Sequence, residues 1–211
     1  MNDAPLNDAP LNDAPVNDAP LETLALLMQA NRLKTTPRTG WAQRGVPQVE
    51  SVADHTCGVA LAALTLAEII PGNWDRGKIL TMAVLHDLAE SVTGDLSLGG
   101  SRLLPAGAKP VMEQRAMEEL LNGLDFGPGW LATWREFEEL GSDEARIVRD
   151  ADRVDLLTQA LVYERNTGTV NLDEFWRFAP PESFQFPQSR QLIEELLARR
   201  PRKTPNPQES R

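Results

Sequence analysis

From residue 21 onward the apolar positions recur every three to four residues, and this spacing predicts helices almost throughout. Residues 21–33 carry Leu24, Leu27, Met28 and Ala30 on one side. Residues 52–70 place His55, Val59, Ala62, Leu66 and Ile70 along one stripe, which stops at Pro71-Gly72. Ser51, with Asp54 three positions on, has the form of a capping box at its start. Residues 77–92 are apolar nearly all round, which predicts a central helix. Residues 110–122 and 130–140 are amphipathic, the second with Trp130, Trp134 and Phe137 on one face. A long helix over 143–165 is capped by Ser142, and a last one covers 188–200. Alternating strand patterns are absent. The expected fold class is therefore all-α, a bundle of about seven helices.

The ends of the chain do not share this pattern. The first twenty residues read NDAP-L-NDAP-L-NDAP-V-NDAP-L, a repeat with period five. Proline at every fifth position breaks helices and central strands, and one aliphatic per repeat builds no core. So short a period matches no stacking repeat. Disordered tails are expected over 1–20 and over 201–211, PRKTPNPQESR, leaving 21–200 as one folded domain.

Charge and cysteine content narrow the function classes. Net charge is −10, from 31 acidic and 21 basic residues, which argues against broad binding to nucleic acid or an anionic membrane. No apolar run approaches the length of a membrane span, and the N-terminus lacks a signal-peptide layout. The single cysteine, Cys57, excludes an intramolecular disulfide and makes a cytoplasmic setting the expectation.

One stretch conflicts with a purely structural helix. HDLAESVTGD, residues 86–95, ends the apolar 77–92 segment with His86, Asp87, Glu90 and Asp95. Buried charge is costly unless paired or bound to metal. His86 and Glu90 are four apart, Asp87 and Glu90 three, so they share one side of the helix end. The only other histidine, His55, lies on the apolar stripe of its own helix. Asp152 interrupts the stripe Ala145, Val148, Leu156, Tyr163, with Asp155 close to the same face and Asp150 turned away toward solvent. Two imidazoles and two carboxylates from three helices form a plausible metal set. Mixed nitrogen and oxygen ligation suits Mn, Fe, Co, Ni or Zn, and Mg less well.

H…HD…D resembles the pattern of the HD-domain phosphohydrolases. The flanking segments RTGWAQRGVPQVESVADHT, HDLAESVTGD and WREFEELGSDEARIVRDADRVDLLTQALVYE are similar to the 5'-deoxynucleotidase branch, from about residue 33 to 164. The resemblance implies an all-helical HD domain that removes the 5'-phosphate of deoxyribonucleoside monophosphates. It implies a divalent metal on His55, His86, Asp87 and Asp152, with Glu90 and Asp95 as the catalytic acids beside the phosphate and its water. Gly94 then lets the chain turn so that Asp95 points back at the site. Glu113 also matches the family, and a homodimer is a common family state.

The stretch 31–49 has its own signal: Arg32, Lys34, Arg38 and Arg44 with no acid, inside an acidic protein. A phosphate dianion near carboxylates needs local cations, and arginine offers a two-pronged donor. Arg38 or Arg44 is expected to bind phosphate, and Trp41 to pack on the sugar or base. Competing expectations are an HD hydrolase of dNTPs, cyclic or alarmone nucleotides, and a non-catalytic module that binds a nucleotide or a partner protein.

Overall fold

A computed structural model describes residues 19–201. The two expected tails lie outside the described residues apart from Ala19, Pro20 and Pro201. Helix α1 spans Ala19–Ala30, with Pro20 in its first turn, where a missing N–H is tolerated. A 3-10 turn, Asn31–Lys34, and a short helix α2, Thr39–Gln43, lead to α3, Val52–Ile69. The expected capping box starts α3: the Ser51 hydroxyl accepts from the Asp54 N–H, and the Asp54 carboxylate accepts from the Ser51 N–H. Next come α4, Arg76–Leu85, α5, Glu90–Thr93, and α6, Leu98–Ser101. Helices α7, Ala108–Leu120, and α8, Gly127–Glu138, precede the longest helix, α9, Asp143–Thr167, capped by Ser142. Helix α10, Asp173–Phe178, and α11, Pro187–Ala198, complete the described chain. Seven of these helices have ten residues or more, and no strand occurs among the described residues.

Helices α3, α4 and α9 pack on one another at the centre. Val59, Ala63 and Leu66 of α3 meet Ile79, Met82 and Ala83 of α4 and Ile147, Val148 and Ala151 of α9. The opposite side of α9 carries Leu157, Leu161 and Tyr163 into a second cluster with Trp41, Phe175, Phe184 and Ile193. Because α9 is packed on two sides, an acid off its first stripe need not reach solvent. Asp150, expected to be solvated, is fully buried and accepts the N–H groups of Gln185 and Phe186 at 2.9 and 3.1 Å. It anchors the chain entering α11.

Three further expectations need correction. The single helix over 77–92 is broken after Leu85, because side chains take two carbonyls of its hydrogen-bond ladder. His86 Nδ1 bonds the Ala83 carbonyl at 2.7 Å, and Trp134 Nε1–H donates to the His86 carbonyl at 3.3 Å. The backbone answers with tighter bonds three residues apart, Leu88 to Leu85 and Glu90 to Asp87, each 3.0 Å. The buried apolar positions of this segment are Leu26 on α1 and Leu33 in the 3-10 turn that follows it, with Ala30 partly buried. Leu24, Leu27 and Met28 are 53, 62 and 67% exposed. Both stripes of α1 are apolar, so periodicity alone could not choose between them. Finally, α3 is by itself long and apolar enough to cross a membrane, although no such run was expected. Its inner face is packed against α4 and α9, as in the core helix of a bundle.

Candidate active site

The first turn of α3, the end of α4 and the middle of α9 meet at one point. Each contributes there because of a local device: the Ser51 cap starts α3 four residues before His55, and the break after Leu85 turns His86 and Asp87 inward. His55 Nε2 lies 3.4 Å from His86 Nε2 and 3.2 Å from Asp152 Oδ1. Asp87 Oδ2 lies 3.2 Å from His86 Nε2 and 3.7 Å from His55 Nε2. Donor atoms of His55, His86 and Asp152 all fall within 4.8 Å of one another. Ligand bonds of about 2.0–2.2 Å place neighbouring donors of one ion about 3 Å apart, so these spacings suit a single cation.

The second nitrogens sharpen that fit. His86 Nδ1 is bonded to the Ala83 carbonyl and His55 Nδ1 to Asp155 Oδ2, both at 2.7 Å. Neutral rings whose Nδ1–H groups donate there aim two Nε2 lone pairs at each other across 3.4 Å. In that protonation state both Nε2 atoms would be available to ligate one cation. Three of the expected ligands, His55, His86 and Asp152, are thus brought together with donor chemistry that fits a divalent metal, and Asp87 stands beside both imidazoles while paired with Arg38.

Charge around the set is arranged in layers. Arg38 Nη1 reaches Asp87 at 3.2 Å and Asp95 at 3.8 Å. Burial opposes ionisation of Asp87, yet His86, Arg38 and His55 hold its carboxyl well below the usual range. Asp152 is likewise depressed, its contact with His55 outweighing burial. Burial and Arg38 act to lower the His55 pKa, but Asp152 and Asp155 prevail and lift it to about 9. A metal ion bound through His55 would have to displace that proton, so its affinity would fall toward acid pH.

Glu90 behaves in the opposite sense. It is buried, its Oε2 has no hydrogen-bond partner, and burial together with Asp87 and Asp95 pushes its pKa to about 10. In the metal-free protein this has a stability signature. A raised folded pKa stabilises fully below the unfolded value, near 4.5 for Glu90, and that contribution is lost as pH rises toward 10. His55 acts in the same direction between 6.5 and about 9. The melting temperature of chelated protein is therefore expected to fall from about pH 6 to about pH 9. Glu90→Gln, neutral throughout, should flatten that fall and raise the midpoint at the alkaline end by several degrees. Parallel melting curves for the two proteins across this range would refute the assignment.

Of the remaining expected site residues, Asp95 is drawn to the centre and the aromatic and second arginine are not. Gly94 has φ 72°, the left-handed turn expected of it, and the Asp95 carboxylate accepts the Thr39 N–H. Thr39 Oγ1 in turn donates to the Asp95 carbonyl at 2.8 Å, so Asp95 ties the Arg38 segment to the site. Trp41 is 1% exposed, packed against Phe175 and Tyr163, with Nε1–H donated to Glu50 at 2.7 Å. Its ring is closed to a nucleotide in this structure. Arg44 pairs with Glu174, its Nε 3.1 Å from Oε1.

Other groups near the site escaped notice in the sequence. Arg149 lies 4.4 Å above the Phe137 ring and near both Asp152 and Glu138, at 3.9 and 3.8 Å. Its position three residues before Asp152, one helical turn, was a usable signal. Lys109 pairs with Glu113 at 3.3 Å, and Glu90 and Asp87 help to raise its pKa against burial. Its position four residues before Glu113, about one helical turn, was a comparable signal.

An all-α bundle whose centre joins histidine, histidine-aspartate and aspartate from three elements defines a metal-dependent hydrolase of the HD type. The family described as HD domain matches residues 30–179, and the chain belongs to it. The curated relative named 5'-deoxynucleotidase HDDC2 of Danio rerio is 31% identical over 182 residues, covering 85% of this chain and 88% of its own length. Its namesake in Homo sapiens is 30% identical over 180 residues, covering 84% and 85%. Among solved structures, a conserved hypothetical protein of Pyrococcus furiosus superimposes with a TM-score of 0.73 at 33% identity, covering 83% of this chain and 99% of its own.

Proposed function

We propose that this protein hydrolyses the 5'-phosphate of deoxyribonucleoside monophosphates, using a divalent metal ion held by His55, His86, Asp87 and Asp152. The observation that carries the proposal is the convergence of two Nε2 atoms and two carboxylates beside Arg38. The substrate class comes from relatives named 5'-deoxynucleotidase that align over more than four-fifths of the chain. The nitrogen and oxygen donors favour Mn, Fe, Co, Ni or Zn over Mg.

Held by these four side chains, such an ion would supply polarisation of a phosphoryl oxygen and a more acidic bound water. The remaining work falls to the chain. Arg38, held ionised by burial-resistant pairing with Asp87 and Asp95, is placed to neutralise phosphate oxygens. Glu90 is the acid with a free oxygen and a displaced pKa, which suits it to hold and pass a proton. Asp95, engaged by Thr39, orients Arg38 and the substrate side of the site.

The test is phosphate release from dAMP, AMP, dATP and a cyclic dinucleotide after chelation and addition of single divalent ions. Release from dAMP with one or more transition ions is expected, with little from dATP. No release from any deoxynucleoside monophosphate with any ion overturns the proposal.

The proposed setting is the cytoplasm, in keeping with the free, exposed thiol of Cys57, and the proposed assembly is a homodimer. Leu21, Leu24, Leu27 and Met28 of α1 supply an exposed apolar stripe suited to such contact. Sedimentation as a single 23.3 kDa chain at micromolar concentration would exclude the dimer.

A further inference from the structure

The two histidines at the centre are held by different means. His86 is fixed by a backbone carbonyl of its own helix, that of Ala83. His55 is fixed from another helix, by Asp155 of α9, at 2.7 Å. Asp155 lies three residues after Asp152, so one turn of α9 presents one carboxylate to each nitrogen of the same ring. On α3 the matching turn ends at Gly58. A Cβ built on Gly58 would lie 2.0 Å from Asp155 Oδ1 and 2.6 Å from its carboxyl carbon. The Asp155 carboxylate thus sits against bare backbone, in a recess that any side chain at position 58 would fill. No other glycine of α3 exists, and the helix tolerates this one despite its propensity cost of about 1 kcal/mol.

We propose that Asp155 is a positioning residue of the metal centre and that Gly58 is the recess that admits it. Asp155 accepts the His55 Nδ1–H, which selects the tautomer with a bare Nε2 and turns that atom toward Asp152 and His86. Its negative charge also makes the ring a better donor to a cation. Among the described residues, His55 Nδ1 has no other hydrogen-bond partner. Without Asp155 the ring can rotate or adopt the other tautomer, and the ligand set opens. This rests on His55 being a ligand, as proposed above.

The experiment uses chelated full-length protein titrated with Zn²⁺ alone by calorimetry, followed by kcat and KM for dAMP at saturating metal. Asp155→Ala should weaken Zn²⁺ binding about 10- to 100-fold, the usual effect of losing such a partner. Gly58→Ala, which leaves every ligand and Asp155 itself in the sequence, should weaken it in the same direction. Asp155→Asn keeps shape and an acceptor oxygen while removing the charge, and should fall between. KM for dAMP should change far less than the Zn²⁺ dissociation constant. A second readout needs no activity: in Zn²⁺-loaded, ¹⁵N-histidine protein the His55 Nδ1–H signal should move upfield in Asp155→Asn, while that of His86 stays. Wild-type affinity in both Asp155→Ala and Asp155→Asn overturns the role of Asp155 and leaves the metal site standing. Failure of the unaltered protein to bind Zn²⁺ or any other divalent ion overturns the metal site and this role together.

Discussion

His86→Ala is expected to abolish phosphate release from dAMP and to leave the purified protein without stoichiometric divalent metal. His86 Nε2 sits between His55 Nε2 at 3.4 Å and Asp87 Oδ2 at 3.2 Å, so its removal takes a corner from the donor set. The alanine also frees the Ala83 carbonyl that the ring occupied. A metal ion contributes several kcal/mol of transition-state stabilisation, and about 4 kcal/mol corresponds to about a thousandfold in rate. The loss of activity should therefore be at least about a thousandfold. Metal analysis of the same preparation, with phosphate release measured before and after addition of excess ion, checks it. Full activity in a metal-free His86→Ala preparation would end the metal-centred account of this site.

Arg38→Ala should cost nearly as much by a different route. Its guanidinium, 15% exposed at the side chain, is the cation nearest the acidic residues of the site, 3.2 Å from Asp87. Losing one well-placed charged donor typically costs about 10²–10³ in rate. Metal content should remain stoichiometric, which separates this variant from His86→Ala. Arg38→Lys should recover little, because an ammonium lacks the planar two-pronged donor geometry. Arg44→Ala should stay close to wild type, since Arg44 is spent on an exposed pair with Glu174. Steady-state kinetics on dAMP for the three variants decides the matter, and a larger loss in Arg44→Ala than in Arg38→Ala would reverse the assignment.

Much of this was legible before any coordinates. Capping at Ser51 and Ser142, the seven long helices and the left-handed turn at Gly94 all follow from chemistry within a few residues. So does the clustering of His86, Asp87, Glu90 and Asp95. What stayed hidden depends on partners far along the chain. The break after Leu85 needs Trp134, 48 residues away. The closing of Trp41 into the core needs Phe175 and Tyr163. Asp150 and Asp155 were distinguishable by helical angle, but not what each would meet: the turn into α11 for one, His55 for the other.

The sequence by itself determined the elements and the inventory of reactive groups, because hydrogen-bond periodicity and capping act over one or two turns. It also marked His55, His86, Asp87 and Asp152 as a set, through residue type and resemblance. Only the tertiary structure decided which nitrogen of each imidazole faces the others, which arginine stands at the carboxylates and which acid is buried without a partner. Those outcomes turn on ångström distances between α3, α4 and α9, set by the packing of Val59, Met82, Val148 and their neighbours. Such packing is a property of all three helices together, and no single stretch of the chain contains it.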